Sequence, residues 1–139
     1  DRNSVKNYSD IQGLKNLIIL DSLDHKYMDA LCKRCFLGIF SLDKRHTTHN
    51  IPGKFLQYIS SGLPVFGLCG QGDIVNLINQ KGFGRTYLGN KDDEAVEIIK
   101  DLSKDIENGI IDSKVLKRYI KEELSTKYAV RDIRQSITR

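Results

Sequence analysis

The sequence is poor in the residues that mark several protein classes. It has three cysteines, Cys32, Cys35 and Cys69, too few for a closed disulfide framework, which points to a reducing compartment. No apolar run reaches the length a membrane-spanning helix needs, and no secretory signal pattern opens the chain. The only methionine is Met28 and the first residue is Asp1, so the sequence reads as an excerpt of a longer protein. There is no low-complexity linker and no internal repeat. No second cysteine pair accompanies Cys32-Lys-Arg-Cys35, so a zinc site would have to borrow His25 or His46. A redox pair would want its thiol at a helix N-terminus, whereas this pair follows a helix. Buried structural thiols are the expectation for this pair.

What is present fits one α/β unit, residues 1–139, of which 40% are apolar and 29% charged. Short apolar runs at 16–20 (NLIIL), 35–40 (CFLGIF), 64–69 (PVFGLC) and 84–89 (GRTYLG) read as strands. Between them lie helical patterns at 24–34, 53–61 and 74–82, and further helices are expected at 91–106 and from 113 onward. In the first, Asp24 is a candidate cap, with Met28, Leu31 and Cys32 on one face. Helix-length crossovers between all four strands predict a parallel sheet covered by helices on both faces. Gly62 and Gly82 read as helix C-termini and Pro64 as a strand start.

The formal charge of +4 is uneven. Residues 114–139 hold eight Lys/Arg against Glu122, Glu123 and Asp132, so the excess sits in the C-terminal helix. Val130, Ile133 and Ile137 recur on one face of that helix and are expected to pack on the core. A basic tail suits nucleic acid or an anionic membrane surface, or is a solvated helix face. No aromatic-rich RNA-binding signature or other nucleic-acid motif accompanies it, so no nucleic-acid partner is expected.

The stretch HNIPGKFLQYISSGLPVFG (49–67) carries more chemistry than a plain connection needs. In open parallel sheets, ligands bind beyond the carboxyl ends of the strands, where loops run into helix N-termini. Here Asn50 can cap the helix, Pro52 fits its first turn and Gly53 lets a ligand approach the backbone. Exposed amides favour a phosphate and Lys54 adds a positive charge. Gln57, one turn on, offers donors and an acceptor to hydroxyl groups. The turn Gly70-Gln71-Gly72-Asp73 is the equivalent position one strand further along. An anionic, hydroxyl-rich ligand such as a nucleotide-sugar fits both loops. The same residues equally serve as plain helix starts.

At these residues the sequence resembles the donor half of GT-B glycosyltransferases, in particular the large retaining family often numbered four. That family's signature runs roughly P-x-K-x-x-E-Y-x-A-x-G-x-P-V, and Pro52, Lys54, Tyr58, Gly62, Pro64 and Val65 match it. Gly72-Asp73, Leu77-Ile78 and Gly82-Phe83-Gly84 are similar to the family's next turn, helix and strand, and residues 123–133 to its closing helix. The likeness spans roughly residues 14–135. The string HNIPGKFLQYISSGLPV is similar to bacterial N-acetylfucosamine transferases of O-antigen assembly.

The resemblance implies a Rossmann-like partial C-terminal domain of a GT-B fold. It implies a UDP-sugar donor, a lipid-linked saccharide acceptor and an acceptor domain of the same protein. It implies no metal or other cofactor, and a cytoplasmic enzyme with peripheral contact at the inner face of the cytoplasmic membrane. Two departures stand out. Gln57 occupies the place of the Glu that binds the donor ribose, and His49 that of a second Glu eight residues earlier. His49 either takes over the sugar contact or is a loop imidazole. The family's diphosphate-binding Arg/Lys pair would lie before Asp1, so this chain alone is expected to be inactive. A sugar-nucleotide epimerase of related architecture and a non-catalytic interaction module are the rival readings; fold alone does not separate them.

Overall fold

The computed structural model describes residues 2–43 and 51–124. Its elements, in chain order, are α1 (Arg2–Gln12), α2 (His25–Cys32), β1 (Gly38–Ser41), α3 (Gly53–Ser61), β2 (Val65–Leu68), α4 (Asp73–Lys81), β3 (Gly84–Tyr87), α5 (Asp92–Glu107) and α6 (Ser113–Glu123). The three strands form a sheet in the order β1-β2-β3, parallel throughout. Each strand reaches the next through a helix, as the alternation of short apolar runs with 3.6-period segments requires.

The register sorts the strand residues onto two faces. Gly38, Val65 and Gly84 lie side by side, as do Phe40, Gly67 and Thr86. The ring of Tyr58 in α3 lies against Gly38, and Asn79 of α4 reaches Thr86 at 3.5 Å, so α3 and α4 cover this face. The alternate residues Ile39, Phe66 and Arg85 point to the other face. There Arg85 pairs with Asp105 of α5. This second face is only part-covered: α5 lies on β3 and leaves Ile39 of β1 half exposed.

Burial on the first face builds the core. Phe55 is 0% exposed, set edge-on to Phe40 at 6.3 Å between centroids and tilted against Phe83 at 6.2 Å. Phe83 in turn meets Tyr119 of α6 at 4.8 Å. Leu116 of α6 and Leu102 of α5 close the cluster. Both helices that cover the first face end in left-handed glycines. Gly62 (φ 79°) and Gly82 (φ 67°) let the amides of Leu63 and Phe83 reach back to the carbonyls of Tyr58 and Ile78. These are the helix stops the sequence indicates, and they turn the chain directly into β2 and β3.

Several expectations are corrected. Residues 16–20 do not form a strand: Leu17, Ile18 and Leu20 are exposed, Ile18 by 81%, and no described strand pairs with the outer edge of β1. An apolar run signals that it seeks burial, but a strand exists only through hydrogen bonds to a neighbour. Here α2 packs on α3, and the chain leading into it makes no ladder with β1. The strand expected at 35–40 begins later, at Gly38, because Cys35 is still bonded back to Cys32 in the turn that ends α2. Asp24 stands at the N-cap of α2, yet its side chain makes no capping bond. Cys32 is buried as expected, and so is Cys69 buried; Cys35 is exposed. The helix α1 went unread, although Gly13 (φ 61°) marks its end. Val130, Ile133 and Ile137 lie outside the described residues.

The seat of α3 on β1 is steric. A Cβ added to Gly38 would stand 2.5 Å from Tyr58 Cδ2, while the Tyr58 hydroxyl donates to the Ile39 carbonyl at 3.2 Å. Gly38→Ala is therefore expected to push the ring off β1 and cost about 1–3 kcal/mol, read from urea unfolding. Tyr58 also predicts an alkaline signature. Burial first, then the neighbouring Cys32 and Cys35, raise its phenol above the ordinary value. A folded pKa raised above the unfolded one favours the neutral phenol in the native state. That contribution is present below about pH 10 and is lost as pH rises through the raised value. Tyr58→Phe should thus flatten the loss of stability above about pH 10, with a residual slope left by Tyr119, Cys32 and Cys69, whose pKa values are raised too.

Candidate functional site

Parallel strands joined by helices bring three helix N-termini to one edge of the sheet. Ser41, Leu68 and Tyr87 end the strands there, and α3, α4 and α5 begin just beyond. Each start leaves backbone amides without intrahelical partners and a partial positive charge. None of the three is closed by a side-chain cap: the N-cap positions are Pro52, Gly72 and Lys91, and no capping bond forms at any of them.

The cap of α3 thus falls on Pro52, where Asn50 was expected, and Pro52 stands outside the first turn it was expected to enter. Asn50 and His49 lie outside the described residues. Lys54 is exposed in the first turn and Gln57 is half-buried one turn later, on the same side of the helix. Gly70 and Gly72 are half-buried in the next loop, with Gln71 and Asp73 exposed beside them. Gly53, Lys54 and Gln57 thus share the start of α3, and Gly70–Asp73 form the loop that follows the neighbouring strand β2.

Electrostatics separate the three helix starts. The first turn of α3 contains no acid and carries Lys54. That of α4 contains Asp73, and that of α5 contains Asp92, Asp93 and Glu94. Carboxylates in a first turn complement the helix dipole and repel an incoming anion. The start of α3 is thus the one of these three with no carboxylate in its first turn.

Two glycines at these starts have no role in the fold. A Cβ at Gly53 or Gly72 would meet nothing within 4 Å, and neither residue has left-handed backbone. Elsewhere glycine is enforced, at Gly38 by a ring and at Gly62 by its φ. At 53 and 72 the space above the backbone is open on the side where a ligand would come.

Two cavities lined by described residues border the sheet, and neither includes Gly53, Lys54, Gln57 or the Gly70–Asp73 loop. One, of about 550 Å³, lies on the α5 face near the same edge, with Ile39, Phe66 and Ile99 as apolar wall and Ser41 and Asn90 at its rim. The other, of about 600 Å³, lies at the opposite edge and includes Cys32, Cys35 and Gly62. The sequence signals for the α5-face cavity were ambiguous, since Ile39 and Ile99 read as ordinary core positions.

Among the described residues no group of three His, Cys, Asp or Glu side chains is placed to hold a metal ion, and no helix is long and apolar enough to cross a membrane. No family model, curated protein or solved structure matches this chain.

Because the fold makes no use of the hydrogen side of Gly53 or Gly72, Gly53→Ala and Gly72→Ala should each leave stability within about 0.5 kcal/mol of the parent, or slightly raise it at the helical position 53. Thermal unfolding measures this. A large loss at either position would assign the glycine a structural role.

Proposed function

We propose that this chain is the donor-nucleotide-binding part of a GT-B glycosyltransferase, transferring a sugar from a UDP-sugar to a lipid-linked saccharide. The observation that carries the reading is the start of α3. It is acid-free, bears Lys54, lies beyond the carboxyl end of a parallel strand and opens on a glycine the fold does not require. The resemblance of Pro52, Lys54, Tyr58, Gly62, Pro64 and Val65 to the retaining-family signature supports the same assignment.

In this reading the residues divide the donor between them. Lys54 and the first amides of α3 serve the diphosphate, whose negative charge grows as the sugar departs. Gln57, one turn away, serves the ribose hydroxyls through neutral hydrogen bonds, in the place of the family's usual Glu. The Gly70–Asp73 loop serves the transferred sugar through its backbone amides. Metal-independent transfer is part of the proposal, as is an acceptor domain of the same protein, and so is a cytoplasmic location at the inner face of the membrane. N-acetylfucosamine in O-antigen assembly is the donor and pathway class the longer sequence string suggests.

The alternative of a nucleic-acid-binding module gains nothing from α6. Its described charges are in part locally engaged: the Lys117 side chain lies over Gly62 at the end of α3, and Arg118 is 4.0 Å from Glu122. Glu123 pairs with Lys81 of α4 at 3.3 Å.

Titration with UDP at low and high salt tests the assignment. Lys54→Ala should weaken binding at low salt and flatten its salt dependence, because an exposed charge contact is screened within about 8 Å at physiological ionic strength. Gln57→Ala should cost about 1 kcal/mol with its salt dependence retained, and Gln57→Glu should hold or improve affinity. Gly53→Ala should bind more weakly while remaining as stable as the parent. Equal affinities across the series would leave this loop as a helix start alone.

A further inference from the structure

The edge of the sheet opposite the helix starts holds a second arrangement that the proposed donor site does not use. There the end of α2, the end of α3 and the turn between α5 and α6 enclose the cavity of about 600 Å³. Cys32 and Cys35 both line it. Cys32 is the last residue of α2 and buried, whereas Cys35 is exposed.

Their separation is set by backbone. The Cys35 amide donates to the Cys32 carbonyl at 3.2 Å, and the Arg34 amide to the Leu31 carbonyl at 2.9 Å. A turn closed in this way holds its first and fourth Cα atoms within about 7 Å. Disulfides span Cα separations of roughly 4.4–6.8 Å, so the bond needs only side-chain rotation and a small backbone adjustment. The sulfurs are close enough for the charge of one to raise the pKa of the other. Ser61, the last residue of α3, lines the same cavity.

We propose that Cys32 and Cys35 are a reversible disulfide-forming pair, oxidised by exchange with a small anionic disulfide such as oxidised glutathione. Lys33 and Lys117 line the same cavity, beside Asp112, and favour approach of an anionic oxidant. Cys35, as thiolate, attacks one sulfur of the small disulfide; that S–S bond breaks and one small thiol leaves. Cys32 then gives its proton to solvent and attacks the Cys35 sulfur, releasing the second small thiol. Two protein thiols are oxidised to one disulfide while one small disulfide is reduced to two thiols. The order follows from access, with Cys35 open to solvent and Cys32 behind it. Cys32 sits at a helix C-terminus, where the dipole gives its thiolate no help, and burial raises its pKa further. It is therefore a poor leaving group, and the disulfide, once made, resists reduction more than one placed at a helix N-terminus.

Cys69, buried at the other edge, supplies an internal control. The whole chain is treated with oxidised glutathione, then unfolded, alkylated and weighed. The parent should lose two hydrogen atoms, carry no glutathione and take up one alkyl group, at Cys69. Cys32→Ser should instead accumulate a glutathione adduct on Cys35. Cys35→Ser, a change at an exposed position, should stay unmodified with both remaining thiols alkylated. A stable adduct on the parent with Cys32 still alkylated, a disulfide-linked dimer, or three alkylated thiols would each overturn the proposal.

Discussion

The placement of Phe55 governs the rest of the molecule. This ring is fully buried between Phe40 of the first strand and Phe83 at the entrance of the third, so one side chain ties α3 to both ends of the sheet. It is also the residue directly after Lys54. Fixing Phe55 inward fixes Lys54 outward, since neighbours on a helix point about 100° apart. Aromatic pairs of this kind contribute about 0.5–1.5 kcal/mol beyond their buried area, and they resist rotation of the helix about its axis. Tyr58 adds a second point on the same helix, its ring against Gly38 and its hydroxyl on Ile39. With α3 pinned at two side chains a turn apart, the direction of its first amides is determined by the core.

That determination matters because the three helix starts at the edge are not equivalent. A parallel sheet with helical crossovers produces such starts automatically, and geometry alone gives none of them precedence. Charge does. Moving across the sheet from α3 to α5, the first turns change from a lysine without acids, through Asp73, to three consecutive acids. The acids stabilise α4 and α5 against their own dipoles, while α3, which lacks that compensation, is held by aromatic packing instead. The helix that relies least on its first turn for stability is the one whose first turn is free to meet an anion.

The parts of the fold legible in the sequence were those governed by local periodicity and by glycine. Helices α3 to α5 fall within a residue of where apolar spacing places them, and Gly62 and Gly82 end theirs in left-handed turns. The run NLIIL was misread because its composition reports a demand for burial without naming a partner; no described strand supplies one. Cys35 was taken as buried with its neighbours, yet the last turn of α2 swings it outward, a matter of a single residue's direction that spacing does not resolve. At the candidate site, residue types were readable and their ranking was not. Lys54 and Asp73 are plain in the sequence, and the strand order β1-β2-β3 sets them at neighbouring helix starts, as the equivalence of the two loops implies. The cavity beside α5 was unreadable for a related reason, since Ile39 and Ile99 differ from core residues only in what fails to cover them.

The two proposed sites fall at opposite ends of α3. Its nine residues span about 13 Å, with Lys54 at one end and Ser61, which lines the cavity of Cys32 and Cys35, at the other. A change at the thiols would therefore fall beside the last residue of the helix. The helix end is independently held by the left-handed Gly62 and by the Leu63 amide on the Tyr58 carbonyl. Its front is held by Phe55. Between these anchors a helix this short transmits little bending, so oxidation of the pair would act on how α2 sits against α3 and would leave the direction of the first amides unchanged. Chemistry at the two edges of this sheet is separated by the same aromatic core that positions each of them.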